Sequence, residues 1–256
     1  MTVTIALAGK GGTGKTTIAA MILRWLRRRG RGAVLAIDAD PSSNLNAVMG
    51  LDLESTVGDV REEAMARVGG GSIPAGMAKR DYLEYRINES LVEGEGLDLL
   101  AMGRPEGPGC YCAANHILRE CVDRIAGGYR YVVIDNEAGL EHLSRRTTRD
   151  VEYLLLVSDP TIRGVVAAGR AVEVVRELKT RVGRVCLVVN RVNGELSPAV
   201  LEEIRRQGLE LIGTVPVDPQ VGRYDAEGRP LVQLPEDSPV YVAVGEIVER
   251  LLDGRD

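Results

Sequence analysis

The chain has 256 residues, 45% of them hydrophobic and 27% charged, with a net charge of −5. That length suits one large domain or two small ones with a sizeable core, and the acidic balance argues against non-specific DNA binding and against a polybasic membrane anchor. Phenylalanine is absent and aromatics make up only 4%, so the core is expected to be Val, Leu, Ile and Ala. The chain opens directly on an apolar, β-branched run, Val3 to Ala8, which reads as a buried strand. No signal peptide is expected before that strand and no apolar run approaches a membrane span, so a cytoplasmic protein is expected.

The next stretch, Gly9-Lys10-Gly11-Gly12-Thr13-Gly14-Lys15-Thr16-Thr17, fits the phosphate-cradling pattern G-x-x-x-x-G-K-[ST]. A helix from about Lys15 to Arg29 follows, with apolar residues Ile18, Met21, Ile22, Trp25 and Leu26 at helical spacing. Glycines let backbone N–H groups turn towards an anion without Cβ clashes, and the helix adds its N-terminal dipole. Residues 11–17 are thus expected to bind nucleotide. Lys15 should reach the β- and γ-phosphates, and the Thr16 hydroxyl should bind Mg²⁺. Lys10 has no role in the general pattern and reads on its own as a solvated charge. The run from Lys10 to Thr16 also resembles the deviant phosphate loop of the MinD/ParA/nitrogenase-iron-protein ATPases. That resemblance implies that Lys10 crosses a dimer interface to the partner's nucleotide, and it places Lys10 with Lys15 in catalysis.

Ala33 to Ile37 reads as a second buried strand, running into Asp38-Ala39-Asp40-Pro41. Aspartates there lie where α/β sheets bind ligands, although Asp-Pro is also ordinary turn chemistry. The same resemblance implies that Asp40 positions or activates the attacking water, with Asp38 near the Mg²⁺ shell. Residues 45–96 identify no activity. Val57 to Val68 has helical periodicity, and Tyr82 to Val92 reads as either a short strand or a helix. A strand at Leu97 to Gly103 leads into a Pro/Gly loop carrying Cys110-Tyr111-Cys112, and helix resumes from about Ala113 to Ala126. In extended backbone two cysteines at this spacing point the same way. Two thiolates are too few for a structural zinc site, and a two-fold axis would supply four. Zn²⁺, Ni²⁺ or Cu(I) would suit such a site, and ordinary loop cysteines remain the alternative. Cys121, in the helix, and Cys186, in a later strand, read as small core residues.

Tyr131 to Asp135 is a strand ending in an aspartate, the pattern in which the carboxylate supports Mg²⁺ directly or through water. A polar, glycine-hinged segment, Asn136 to Thr147, follows. Asp135 to Arg145 and the Cys110/Cys112 pair together resemble the CooC type, the nickel-inserting maturation ATPases of carbon monoxide dehydrogenase, across nearly the whole chain. The resemblance implies that the two cysteines bind Ni²⁺ or Zn²⁺ across a homodimer and that the client is carbon monoxide dehydrogenase or acetyl-CoA synthase. Asn136-Glu137 departs from what that family leads one to expect.

Further strands are expected at Glu152 to Ser158, Arg184 to Val189 and Leu209 to Val215, with helices at Val165 to Lys179, Pro198 to Arg206 and Pro239 to Leu252. Asn190-Arg191 resembles the family's adenine-recognition site, and the loop containing Pro216 and Asp218 resembles the segment on the base's other side. Both also read as strand-end turns. Strands alternating with helices predict one P-loop α/β domain over residues 1–256, a mostly parallel sheet of about seven or eight strands with helices on both faces. The expected function is an ATP-hydrolysing metallochaperone that binds ATP/ADP and Mg²⁺ and has no nucleic-acid or membrane partner. The rivals are a ParA/MinD-like positioning ATPase, an iron-protein-like reductase and a zinc-clamped scaffold. The reductase would need a further cysteine between Asn136 and Thr147, where there is none.

Overall fold

Seven apolar runs become seven strands. The computed structural model describes residues 2–30, 32–70, 77–104, 112–137, 150–177 and 181–253. The strands are β1 (Val3–Ala8), β2 (Val34–Asp38), β3 (Leu97–Ala101), β4 (Tyr131–Asp135), β5 (Asp150–Ser158), β6 (Arg181–Val192) and β7 (Leu211–Pro216). They form one sheet in the order β3-β2-β4-β1-β5-β6-β7, and every pairing between them is parallel. Parallel strands need crossovers, and helices supply them. The described helices are α1 (Lys15–Arg28), α2 (Leu45–Met49), α3 (Val57–Gly70), α4 (Lys79–Glu89), α5 (Cys112–Ala126), α6 (Ile162–Glu177), α7 (Pro198–Arg206), α8 (Pro219–Glu227) and α9 (Pro239–Leu252).

Successive strand residues face opposite sides of the sheet. In β1, Val3, Ile5 and Leu7 pack with α1, α2 and α9, whereas Ala6 and Ala8 pack against the layer containing α3 to α7. Both faces are covered, so a strand such as β4, with Tyr131, Val132, Val133 and Ile134 all buried, reads as an unbroken apolar stretch instead of an alternating one. Cys121 and Cys186 are buried free thiols in these two layers. Burial pushes the Cys186 thiol up to about 11, so it stays protonated and unreactive at neutral pH.

One open alternative is resolved and two short helices are added. The stretch after Tyr82 is helical: α4 begins at Lys79 and ends at Glu89, and only Val92 makes a β contact, an isolated antiparallel bridge to Leu99. The α3–α5 layer is laced by Arg86–Glu63, Arg80–Glu120 and Arg124–Glu84 ion pairs, so these charges hold helices together across the surface. The loop after Pro216 turns directly into α8, because the Asp218 side chain accepts from Gln220 N at 2.9 Å and caps the helix. A short helix, α2, also follows the second strand, closed by Gly50 at φ 69°.

Because all seven strands run the same way, their C-terminal ends share one edge. β1 sits between β4 and β5, the point where the chain switches from building one half of the sheet to building the other. Ligands of open α/β sheets bind at such a point. At the far end of α1, Trp25 packs directly on Gly245 of α9; a Cβ added there would lie 3.0 Å from the indole. Gly245→Val should therefore separate the two helices. Overpacking costs about 1–3 kcal/mol, more than the few tenths of a kcal/mol of helix propensity that β-branched valine gains over glycine. A lower thermal midpoint than wild type is expected by circular dichroism.

Candidate functional site

The loop after β1 is shaped by contacts that only glycine permits. Gly9 lies against the backbone of β5, where a Cβ would come 2.3 Å from the Val157 carbonyl oxygen. Gly14 is the N-cap of α1 in the left-handed region at φ 89°, and a Cβ there would strike the Asn190 amide at 2.3 Å. Between them the loop holds itself. Thr13 Oγ1 donates to the Lys10 carbonyl at 2.9 Å, and Lys15 Nζ folds back to the Gly9 and Lys10 carbonyls, each at 3.4 Å. Lys15 and Thr13 are buried, while Gly11, Gly12 and Lys10 are exposed and Thr16 and Thr17 are half-buried. No acidic residue occupies the first turn of α1. The helix thus offers unpaired N–H groups and a lysine around a concave backbone, which is an anion site.

Two carboxylates complete the edge. Asp38 and Asp135 are Cα partners across β2 and β4, so their side chains leave the same face of the sheet side by side. Both are buried, at 1% and 2% exposure. Asp38 Oδ1 accepts from Asp40 N at 3.0 Å and Oδ2 from Leu45 N at 2.9 Å, so its carboxylate organises the turn that follows β2. Asp135 is hydrogen-bonded by the Thr16 hydroxyl, but its Oδ1 is buried with no partner. Desolvation pushes Asp38 up to about 6 and Asp135 up to about 7; the nearby Asp38 charge adds to the rise at Asp135, and Thr16 and Lys15 oppose it. A hydroxyl, two buried carboxylates and an orphaned carboxylate oxygen beside a phosphate-type loop fit a hard divalent cation with oxygen ligands. Asp40 stands in the turn beyond, half-buried, its Oδ1 accepting from Ser42 N at 2.8 Å.

The expected base-side residues reach the same edge in different ways. Asn190, near the end of β6, is buried and donates through Nδ2 to the Thr13 carbonyl at 2.8 Å, while its Oδ1 accepts from Arg191 N at 2.9 Å. Its amide thereby fastens β6 to the phosphate loop, a role its place in the sequence does not reveal. Arg191 is exposed and takes the left-handed φ of 58°. Pro216 ends β7 and is half-buried. The Asp218 carboxylate is taken up by the α8 cap and by the Ser238 hydroxyl, which donates to it at 2.6 Å. Sequence reasoning also gave Asn136 no role, although it is buried at 1% exposure and donates through Nδ2 to the Leu7 carbonyl at 2.8 Å.

Cys110, the Cys112 side chain and residues 138–149 lie outside the described residues. Among the described residues no group of three or more His, Cys, Asp or Glu is spaced to hold a metal ion, and no helix is long and apolar enough to cross a membrane.

A parallel α/β sheet with a glycine loop, a buried lysine and two aspartates at its strand ends defines a P-loop nucleotide-binding protein. The chain belongs to the CobQ/CobB/MinD/ParA nucleotide binding domain family, which matches residues 4–231. It is 44% identical over 249 residues to the uncharacterized ATP-binding protein MJ0685 of Methanocaldococcus jannaschii, covering 97% of this chain and 98% of that protein. It is 30% identical over 240 residues to the carbon monoxide dehydrogenase accessory protein CooC of Rhodospirillum rubrum, covering 88% of this chain and 87% of that one. The fold is that of the septum site-determining protein MinD from Pyrococcus horikoshii, solved with Mg-ADP, with a TM-score of 0.70 at 22% identity, covering 100% of this chain and 97% of that one.

The aspartate pair fixes the sign of a pH dependence. Both folded values lie above the ordinary aspartate value of 3.8, so the protonated forms favour the folded state. Their contribution is full below that value and is lost as pH rises through about 6 to 7. In EDTA and without nucleotide, urea unfolding should show lower stability at pH 8 than at pH 5. Asp135→Asn should flatten that slope and be more stable than wild type at pH 8.

Proposed function

We propose that this protein is an ATP-hydrolysing metallochaperone that dimerises with nucleotide and delivers nickel to carbon monoxide dehydrogenase or acetyl-CoA synthase. The observation that carries the reading is the 30% identity to CooC along most of the chain, joined to the Cys110-x-Cys112 pair. The site geometry supports the ATPase part. Residues 11–17 wrap the phosphates, and Lys15 leaves the loop carbonyls for the β- and γ-oxygens. Thr16, Asp38 and Asp135 would hold Mg²⁺, directly or through water. The ion, when bound, supplies charge neutralisation at the phosphates.

Asp40 orients the attacking water from the turn that Asp38 organises. Lys10, exposed at the loop's outer side, reaches the nucleotide of a second copy. Asn190 and Arg191, with Pro216 and Asp218, frame the base. Asp218 contributes mainly by holding the backbone of its loop, since its carboxylate is already engaged. Closing the dimer joins two Cys110/Cys112 pairs around one nickel ion, which is cargo, and hydrolysis releases it. Linkage makes the coupling reciprocal, so metal tightens nucleotide binding if nucleotide tightens metal binding. Zn²⁺ is the competing occupant of such thiolates.

Anaerobic metal titration, with mass measured on the same sample, tests the reading. Wild type with a slowly hydrolysed ATP analogue should bind one nickel per dimer, and Cys110→Ser/Cys112→Ser should abolish that binding. Nucleotide-driven dimerisation without any cysteine-dependent metal would point instead to a ParA/MinD-like switch. Lys10→Ala should lower dimerisation and turnover together while leaving nucleotide binding by the monomer in place. Unchanged dimerisation would remove the cross-subunit role.

A further inference from the structure

Asn136 is the first residue beyond β4, and it is held to β1 by two bonds. Its backbone N–H and its Nδ2 both donate to the Leu7 carbonyl, at 3.3 and 2.8 Å. Leu7 is the Cα partner of Asp135 and stands two residues before Gly9, so this pair of bonds joins the exits of β1 and β4. With Nδ2 committed to Leu7, the orientation of Oδ1 is fixed. That oxygen is buried and has no donor. A buried acceptor left unpaired is unfavourable, and an apolar side chain of the same size would avoid the penalty. The neighbouring Asp135 also keeps a buried oxygen without a donor. Two successive residues at one strand end thus present acceptors that no group among the described residues satisfies. What completes two such acceptors is a donor brought by the ligand, and the waters of a hydrated divalent cation are strong donors.

We propose that Asn136 is a positioning residue for the nucleotide–magnesium complex, its Oδ1 accepting a hydrogen bond from a water of that complex. The inference rests on the nucleotide reading above and adds a residue to it. The amide would act at one remove from the ion, steering a water of the Mg²⁺ that Thr16, Asp38 and Asp135 would hold. Because the Leu7 bonds fix the amide before ligand arrives, no rotamer freedom is lost when the water docks.

The test compares wild type with Asn136→Ala and Asn136→Leu. The probe is a slowly hydrolysed ATP analogue, titrated by calorimetry with Mg²⁺ and again in EDTA, with thermal midpoints recorded for each protein. Wild type should bind more tightly with Mg²⁺. In both variants that Mg²⁺-dependent gain should shrink about 10-fold while affinity in EDTA is unchanged. The leucine variant, which fills the same space and removes the unpaired oxygen, should retain a near-native midpoint. A Mg²⁺-dependent gain equal to wild type would overturn the proposal. Affinity lost equally with and without Mg²⁺ would also overturn it, by assigning Asn136 a purely structural role. If wild type itself binds the analogue no better with Mg²⁺, the nucleotide–magnesium reading fails first.

Discussion

Two carboxylates buried side by side at the ends of β2 and β4 are the constraint around which the site is built. Asp38 and Asp135 come together because parallel pairing brings their Cα atoms into register, and they are dry because α1 covers that face. Left alone they are an electrostatic burden, and each drifts towards its protonated form. The aliphatic layers on both faces of the sheet offset that burden. A cation bound there would relieve both desolvation and mutual repulsion, so folding stability and ligand binding would draw on the same groups.

Asp38 also links the site to its surroundings. Its carboxylate accepts from Asp40 and Leu45, and its carbonyl accepts from Met102 N at 2.8 Å, just past β3. The Met102 carbonyl in turn accepts from Gly58 N at the start of α3, and Gly103 sits so close to Thr56 that a Cβ would lie 2.2 Å from its hydroxyl. The turn carrying Asp40 and the segment leaving β3 therefore start from one hydrogen-bonded junction. That is a physical connection between two regions far apart in the sequence.

The fold was legible because its signals are local and redundant. Unbroken Val/Ile/Leu/Ala runs between helical periodicities leave a two-face-covered parallel sheet as the consistent solution, and glycine at 9, 12 and 14 marks the loop by the backbone it demands. The candidate site was legible wherever residue type and strand-end position suffice to place a side chain, as with Lys15, Asp38 and Asp135. It was illegible where function depends on a partner distant in sequence. Nothing local says that Asn190 holds Thr13, 177 residues away, or that Asn136 holds Leu7, 129 residues away. The short helix α2 and the cap of α8 escaped because five or nine residues give too little periodicity against the turn-forming residues around them. The α4 stretch was ambiguous because its apolar residues are few and charge pairs do part of their packing.

Helix α1 runs from the phosphate loop at its first turn to α9 at its last. Ten of its fourteen residues are buried, Arg24 among them, stacked 4.2 Å from the Tyr241 ring. Such a rod is seated along most of its length, from Ile18 to Leu26. The helix thus ties the first turn behind the phosphate loop to the far side of the sheet layer, and loop and strand ends share one frame of reference.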